Sequence, residues 1–466
     1  MNYIREVLRM RKPKALIIPF RFREGYPEDL VTEQITTSQQ LLNEIELESD
    51  FTKVVVYNDD ADEIVCSYNA ENYDFVVLLV PTWIEPVLVI RAAKPFFHKP
   101  IVVWGFGTFN KNGARVGLGS TAGAGVVKGT LREMGIKHEY LYHLPGNPET
   151  DEKIKAHIGK VANVARAISL LDKSRFATVG YLFGGMSIGD IDVTKMRTKF
   201  GPELMHIDAY SLIRRMEALD SSSMAYIEGR KHVESHLAVT IGDRIDRIVR
   251  MYVVLRAFVD EHDLKAITLK CHFELSQEYG LTPCIPLSVI GNAVVASCEA
   301  DIPVLLTQTV MNYLAGGLTT TYADIHELTG KNALVGACGY APSSMCLNDQ
   351  IICDVPDESA QGLGATFSGY ITNKNHLKEG VVTMGRFLKE PDGRFTLHFT
   401  TGNALGDIGK VSELDMPQYP FTEIVLDGDL DEFAQNMGSH HYAIVYADIR
   451  EELAMFCKYK DMQIIR

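Results

Sequence analysis

Three segments of this chain set ionisable side chains beside constrained backbone. The first, Lys270-Cys271-His272-Phe273-Glu274-Leu275, closes an apolar run that begins at Ala266 and reads as a buried strand. Glu274 then sits at the C-terminal end of that strand, the edge where open α/β sheets bind their ligands; a helix N-terminal acid is its alternative role. The second is Ser297-Cys298-Glu299-Ala300-Asp301-Ile302-Pro303. Asp301, two residues before Pro303, reads as a helix N-cap. It also forms an acid pair with Glu299 between the apolar stretches Ala293 to Cys298 and Val304 to Leu306, where unpaired carboxylates are costly and a bound cation offsets the cost. The third is Gly438-Ser439-His440-His441-Tyr442, at the start of an expected strand reaching Ala447. Adjacent strand residues face opposite ways, so one of the two imidazoles is expected to point into any given site. Two carboxylates and one imidazole with open positions suit Mn²⁺ or another divalent cation of similar hardness.

The elements that must position these groups follow from hydrophobic pattern. Continuous apolar runs at Ala15 to Phe20, Lys53 to Asn58, Phe75 to Pro81 and Pro100 to Gly105 suit buried parallel strands with helices on both faces. Gly119-Ser120-Thr121-Ala122-Gly123-Ala124-Gly125 opens a helical segment to about Gly135. It follows the fourth strand, whereas a dinucleotide fingerprint belongs at the first strand-to-helix turn, so its glycines read as close helix–sheet packing and no nucleotide cofactor is expected. A charged amphipathic helix at 151 to 173 leads to further strands at Ala177 to Phe183, Met205 to Ala209, Ala266 to Cys271 and Ala333 to Gly336, with helical segments at 225 to 260 and 286 to 315. Beyond about Val355 the strands alternate and are split by turns such as Lys389-Glu390-Pro391-Asp392-Gly393. The expected fold is α/β: two doubly wound parallel-sheet domains, 1–173 and 174–355, then a mainly antiparallel, β-barrel-like domain at 356–466.

Length and composition agree. At about 150 residues per domain, 466 residues suggest about three domains, each able to bury a core. The net charge of −14 leaves no basic footprint for nucleic acid or an anionic membrane. No run of about 18 apolar residues could span a bilayer and the N-terminus lacks a secretory apolar region, so a cytoplasmic protein is expected. Eight cysteines without a CxxC pair read as reduced and buried.

The chain resembles the ketol isomerases of the L-fucose isomerase and L-arabinose isomerase superfamily. The resemblance runs in order through Val80-Pro81-Thr82-Trp83, Trp104-Gly105-Phe106, Gly184-Gly185-Met186-Ser187-Ile188-Gly189, Asp208-Ala209-Tyr210-Ser211-Leu212-Ile213-Arg214-Arg215, Ser297 to Asp301 and His441 to Tyr446. It implies two α/β domains, an antiparallel β domain and a catalytic Mn²⁺ held by Glu274, Asp301 and His441, with the two acids also exchanging protons; Glu278 competes for the first position. It further implies a homo-oligomer, a hexamer, in which Trp83, Arg21 and Arg23 of a neighbouring protomer reach the sugar and His440 contacts a hydroxyl.

The implied reaction is interconversion of an open-chain aldose and ketose, on L-fucose, D-arabinose or L-arabinose. Arginines near the sugar terminus also suit an anionic sugar such as sulfoquinovose, because a guanidinium grips sulfonate in a forked geometry. A non-catalytic sugar-binding or regulatory protein and a metal-dependent sugar aldolase or epimerase are the alternatives.

Overall fold

A computed structural model describes residues 10–182, 184–337, 339–354, 371–406 and 420–466. Phe183, Cys338 and the start of the expected third domain, 356–370, lie outside them. Residues 10–169 and 170–466 form two compact units.

In the first unit, strands β1 (Lys14–Pro19), β2 (Glu48–Phe51), β3 (Phe75–Val80), β4 (Ile101–Phe106) and β5 (His138–His143) make a parallel sheet in the order β2-β1-β3-β4-β5. Every residue of β3 and β4 is buried, as their apolar runs predict. Lys53 to Asn58 is not a strand; only Val55 bridges to Phe20, and Glu48–Phe51 pairs with β1 instead. As a half-exposed edge strand, β2 needs no apolar signature. The glycine-rich segment begins the helix Ser120–Glu133, and a Cβ on Gly123 would lie 2.3 Å from the Thr82 carbonyl oxygen. These glycines therefore serve close packing.

The chain reverses its direction of travel between β1 and β3, the switch point of such a sheet. There the Phe22 amide donates to Thr82 Oγ1 at 3.0 Å, and the Phe22 ring meets Trp83 edge-on at 4.9 Å. The Arg23 guanidinium lies 5.7 Å from the Phe22 ring centre. Arg21, Arg23 and Trp83 thus gather at one sheet edge.

The second unit combines two sheets. Strands β6 (Arg175–Val179), β7 (Glu203–Ile207), β8 (Ala266–Leu269) and β9 (Val295–Cys298) are parallel, in the order β9-β8-β6-β7. The expected helix over 286 to 315 is instead the helix Cys284–Ile290, strand β9 and the helix Ile302–Leu314. Both helices and β9 are buried on nearly every face, so no amphipathic period separates strand from helix.

Strands β10 (Thr320–Thr329), β11 (Asn332–Gly336), β12 (Glu379–Lys389), β13 (Phe395–Leu405), β14 (Phe421–Leu426) and β15 (His441–Val445) close an antiparallel barrel in the order β12-β15-β10-β11-β14-β13-β12. Ala333 to Gly336 is thus a barrel strand, not part of the parallel sheet. Its interior is filled by Ala323, Val335, Met384, Ala404, Ile424, Tyr442 and Ile444. Residues alternate along each strand, so Asp324 and His441, the neighbours of Ala323 and Tyr442, face outward. The helix Ile302–Leu314 packs on β10, β12 and β15, with every residue except Asn312 buried, so this outer wall is also withdrawn from water.

His398 on β13 is fully buried; its Nδ1 lies 2.5 Å from the Tyr442 hydroxyl and its Nε2 makes no hydrogen bond. Burial lowers its pKa from 6.5 to about 4. The folded state therefore prefers the neutral ring, and the associated stability is complete above pH 6.5 and lost as pH falls toward 4. Between pH 7 and 4.5 this group should cost about 2–3 kcal/mol. Urea unfolding at the two pH values tests this: the loss should be smaller by that amount in His398→Gln, and an equal loss in both proteins would overturn it.

Candidate active site

The parallel sheet and the barrel wall meet around His441. Strand β9 ends at Cys298, and Glu299 and Ala300 turn the chain with φ of 63° and 56°. Such left-handed backbone is strained for side-chain-bearing residues and tends to collect at functional sites. Asp301 then caps the helix Ile302–Leu314, accepting the Val304 amide at 2.9 Å, as its place before Pro303 predicts. From the barrel, β10 pairs with β15 so that Asp324 stands opposite His441.

His441 is fully buried and its two nitrogens face different partners. Nδ1 lies 2.9 Å from Asp301 Oδ2, whereas Nε2 lies 3.3 Å from Glu299 Oε2 and 3.3 Å from Asp324 Oδ1. Neither His441 Nε2 nor Asp324 Oδ1 makes a hydrogen bond among the described residues. Glu299 Oε1 accepts the Tyr322 hydroxyl at 2.9 Å and lies 3.0 Å from His272 Nε2. Asp301 is gripped by Arg386, whose Nη1 and Nη2 donate to its two oxygens at 2.9 and 3.2 Å.

These contacts set the electrostatics. Burial alone would lower the His441 pKa, but the Asp301, Glu299 and Asp324 carboxylates raise it to about 10. Burial would raise Glu299 and Asp301; the imidazoles of His272 and His441 bring Glu299 down, and the Arg386 and His441 charges do the same for Asp301. Asp324 moves the other way, raised by burial and by the nearby Glu299 charge. Three buried carboxylates thus share one imidazolium and one guanidinium.

Of the residues expected from sequence, the structure brings Asp301 and His441 into this cluster. Glu274 is half exposed; its carboxylate pairs with the Lys270 ammonium and accepts the Tyr181 hydroxyl at 2.9 Å. Glu278 follows in the same short helical turn, Glu274–Glu278. His440 and His441 are not on opposite faces of a strand, because His440 precedes the first residue of β15 and its ring centre is 4.1 Å from that of His441. Ligand atoms of His440, Asp324 and His441 lie within 4.8 Å of one another, as do those of Cys271, His272 and Glu299. Trp83, Arg21 and Arg23 belong to the first unit.

Sequence reasoning missed Asp324, Arg386 and His272. A signal for the first two is present: Asp324 is the one charge in the run Thr320 to Ile325 and Arg386 the one charge in the run Val381 to Leu388, a placement that requires a partner. Six of the seven described cysteines are buried. No helix among the described residues is long and apolar enough to cross a membrane.

The donor set suits a divalent cation. Glu299, Asp324 and His441 Nε2 offer hard oxygen and nitrogen donors around one point, two of these atoms are buried without hydrogen bonds, and Asp301 holds the far side of the imidazole. No family model matches the chain. It is similar to sulfoquinovose isomerases from Alkalicoccus urumqiensis, 24% identical with 78% of this chain and 80% of that protein covered, and from Priestia aryabhattai and Priestia megaterium, each 24% identical with 83% and 84% covered.

Proposed function

We propose that the protein is an aldose–ketose isomerase for an open-chain sugar, with a sulfonated sugar as its leading substrate. The observation that carries this reading is His441 Nε2 facing Glu299 and Asp324 while Nδ1 is held by Asp301, and the similarity to sulfoquinovose isomerases over most of the chain supports it.

The reaction removes a proton from C2 and returns one to C1, through an enediol whose two oxygens carry developing negative charge. Glu299, Asp324 and His441 would hold a divalent cation such as Mn²⁺, which would supply positive charge to offset that developing on the enediol. The chain's own groups do the rest. Asp301 fixes the tilt of His441, because Nδ1–H donates to its carboxylate, and once Nε2 gives up its proton to a neighbouring carboxylate its lone pair would face the site. Glu299 and Asp324 are the carboxylates placed to take and return protons. The buried wall around them keeps bulk water from competing for those protons. By the resemblance, the protein is a homo-oligomer, a hexamer, in which Arg21, Arg23 and Trp83 serve the site of a neighbouring protomer.

The test is incubation with Mn²⁺ and, separately, sulfoquinovose, L-fucose, D-arabinose and L-arabinose, following ketose by NMR. Conversion of at least one sugar, lost on chelation and restored by Mn²⁺, is the expected result. No conversion of any of them, or formation of an epimer or cleavage products instead, would overturn the isomerase reading.

A further inference from the structure

The loop after β8 carries two uncommon backbone features. Phe273 has φ 61° and ψ −89°, outside the left-handed helical region and close to the strained γ-turn that residues with side chains seldom adopt. Directly after it the chain makes a wide, π-type turn, in which the Glu278 and Tyr279 amides donate to carbonyls five residues back, those of Phe273 and Glu274, at 3.3 and 2.9 Å. The Phe273 carbonyl also accepts the Gln277 amide at 2.6 Å, so the turn holds the strained residue in place. Strain of this kind persists where the surroundings over-determine it, and it collects at ligand sites. Burial of the ring does not offset it here: Phe273 is 40% exposed, although Leu275 and Ser276 just after it are buried. An exposed phenylalanine on relaxed backbone is ordinary; on strained backbone its ring calls for another use.

Its neighbours indicate that use. Because β8 and β9 are adjacent and parallel, the residues that follow them stand side by side at the sheet edge where ligands bind. His272, after β8, has its Nε2 3.0 Å from Oε1 of Glu299, after β9. The Phe273 ring centre is 6.4 Å from that of His272, with the planes 53° apart. One imidazole thus separates the ring from the carboxylate cluster. The cluster itself, Glu299, Asp301, Asp324, Arg386 and His441, consists of ionisable groups throughout. Such groups suit the reacting oxygens of a sugar, but they offer nothing to the C–H bonds along its carbon chain. Sites for small molecules pair a few polar groups with apolar and aromatic walls, and the negative face of an aromatic ring attracts polarised C–H bonds.

We propose that Phe273 is a substrate-contacting residue: its ring packs against the C–H face of the sugar's carbon chain while the reacting oxygens face the carboxylate cluster, and the strained turn keeps it there. The ring then sets affinity for the chain rather than the rate of proton transfer. An open-chain sugar as the ligand is taken from the isomerase reading, so binding and turnover are measured separately.

Alditols provide the binding measurement, because an open-chain polyol cannot isomerise. Calorimetry with Mn²⁺ present would follow the alditols made by reducing sulfoquinovose, L-fucose, D-arabinose and L-arabinose, on the wild type, Phe273→Ala, Phe273→Gly, Phe273→Tyr and Tyr210→Ala. Both truncations should weaken the tightest alditol by about ten-fold, and Phe273→Tyr should stay close to the wild type. Tyr210, an exposed aromatic after β7 at the far edge of the same sheet, is the control and should change nothing. Mn²⁺ affinity should be the same in all five proteins, and on a converted sugar KM should rise in the truncations with kcat nearly kept, the mark of a contact made equally in ground and transition states. The proposal is overturned if the wild type binds none of the alditols, or if Phe273→Ala binds them as the wild type does. It is overturned as well if Phe273→Gly keeps full affinity while resisting urea better than Phe273→Ala, which would make the strain structural alone, or if the truncations lose Mn²⁺ along with the alditol, which would make the ring a support of the cluster. Alditol binding through Phe273 with no sugar converted would instead sink the isomerase reading and leave this one standing.

Discussion

Glu299→Gln should lower turnover by roughly 10²- to 10⁴-fold, the usual contribution of a positioned proton-transfer group, while the chain still folds. The amide is nearly isosteric with the carboxylate, can still accept the Tyr322 hydroxyl on its carbonyl oxygen, and leaves His441 paired with Asp301. It removes the negative charge that faces His441 Nε2, together with the proton-accepting oxygen. Glu274→Gln is the matched control. That side chain is half exposed and engaged by Lys270 and Tyr181, so its loss should leave turnover of a neutral sugar within a few-fold of the wild type. Initial rates on the best substrate, with thermal melts to check folding, decide between the two acids. A folded Glu299→Gln enzyme of near-normal rate would remove Glu299 from the chemistry, and a Glu274→Gln enzyme without activity would return that role to the acid after β8.

The difference between those two acids explains how much could be read in advance. β1, β3 and β4 are legible because strands buried on both faces must be apolar throughout, and Asp301 and His441 are legible because an acid before proline and an imidazole at a strand start are local patterns. Asp324 is not. Its partnership with His441 depends on the register of β10 against β15, and on Ala323 facing the barrel interior so that its neighbour faces out. No spacing rule along the chain encodes a pairing between residues so far apart. β9 is hidden for a related reason, since Val295–Cys298 is four buried residues between two buried helices, too short to show a period of its own. Glu274 has the position of a site residue at a strand end, yet its side chain is drawn away by Lys270 four residues earlier, a local contact that strand-end position alone does not anticipate.

Arg386→Met should destabilise the protein by about 3–5 kcal/mol, the cost of leaving one member of a buried ion pair without its partner. Arg386 is 1% exposed and Asp301 fully buried. The guanidinium also donates to the Ile188 and His441 carbonyls, at 2.8 and 3.1 Å, so it ties the barrel wall to the loop before the helix Val193–Phe200 as well as to the acid. With the guanidinium gone, Asp301 keeps only the Val304 amide and the His441 ring to balance its charge. A second change separates charge from packing. In the double variant Arg386→Met, Asp301→Asn no buried charge is left unpaired, and Asn still caps the helix, so much of the lost stability should return. Function should not return with it: without a carboxylate on Nδ1, His441 is held less firmly, and metal affinity should fall about 10- to 100-fold. Chemical denaturation measures the first effect and Mn²⁺ titration the second. A single variant within about 1 kcal/mol of the wild type would mean that Asp301 relaxes to water or takes up a proton instead of remaining a buried anion. A double variant that is stable and binds Mn²⁺ as tightly as the wild type would mean that Asp301 serves the helix and not the imidazole.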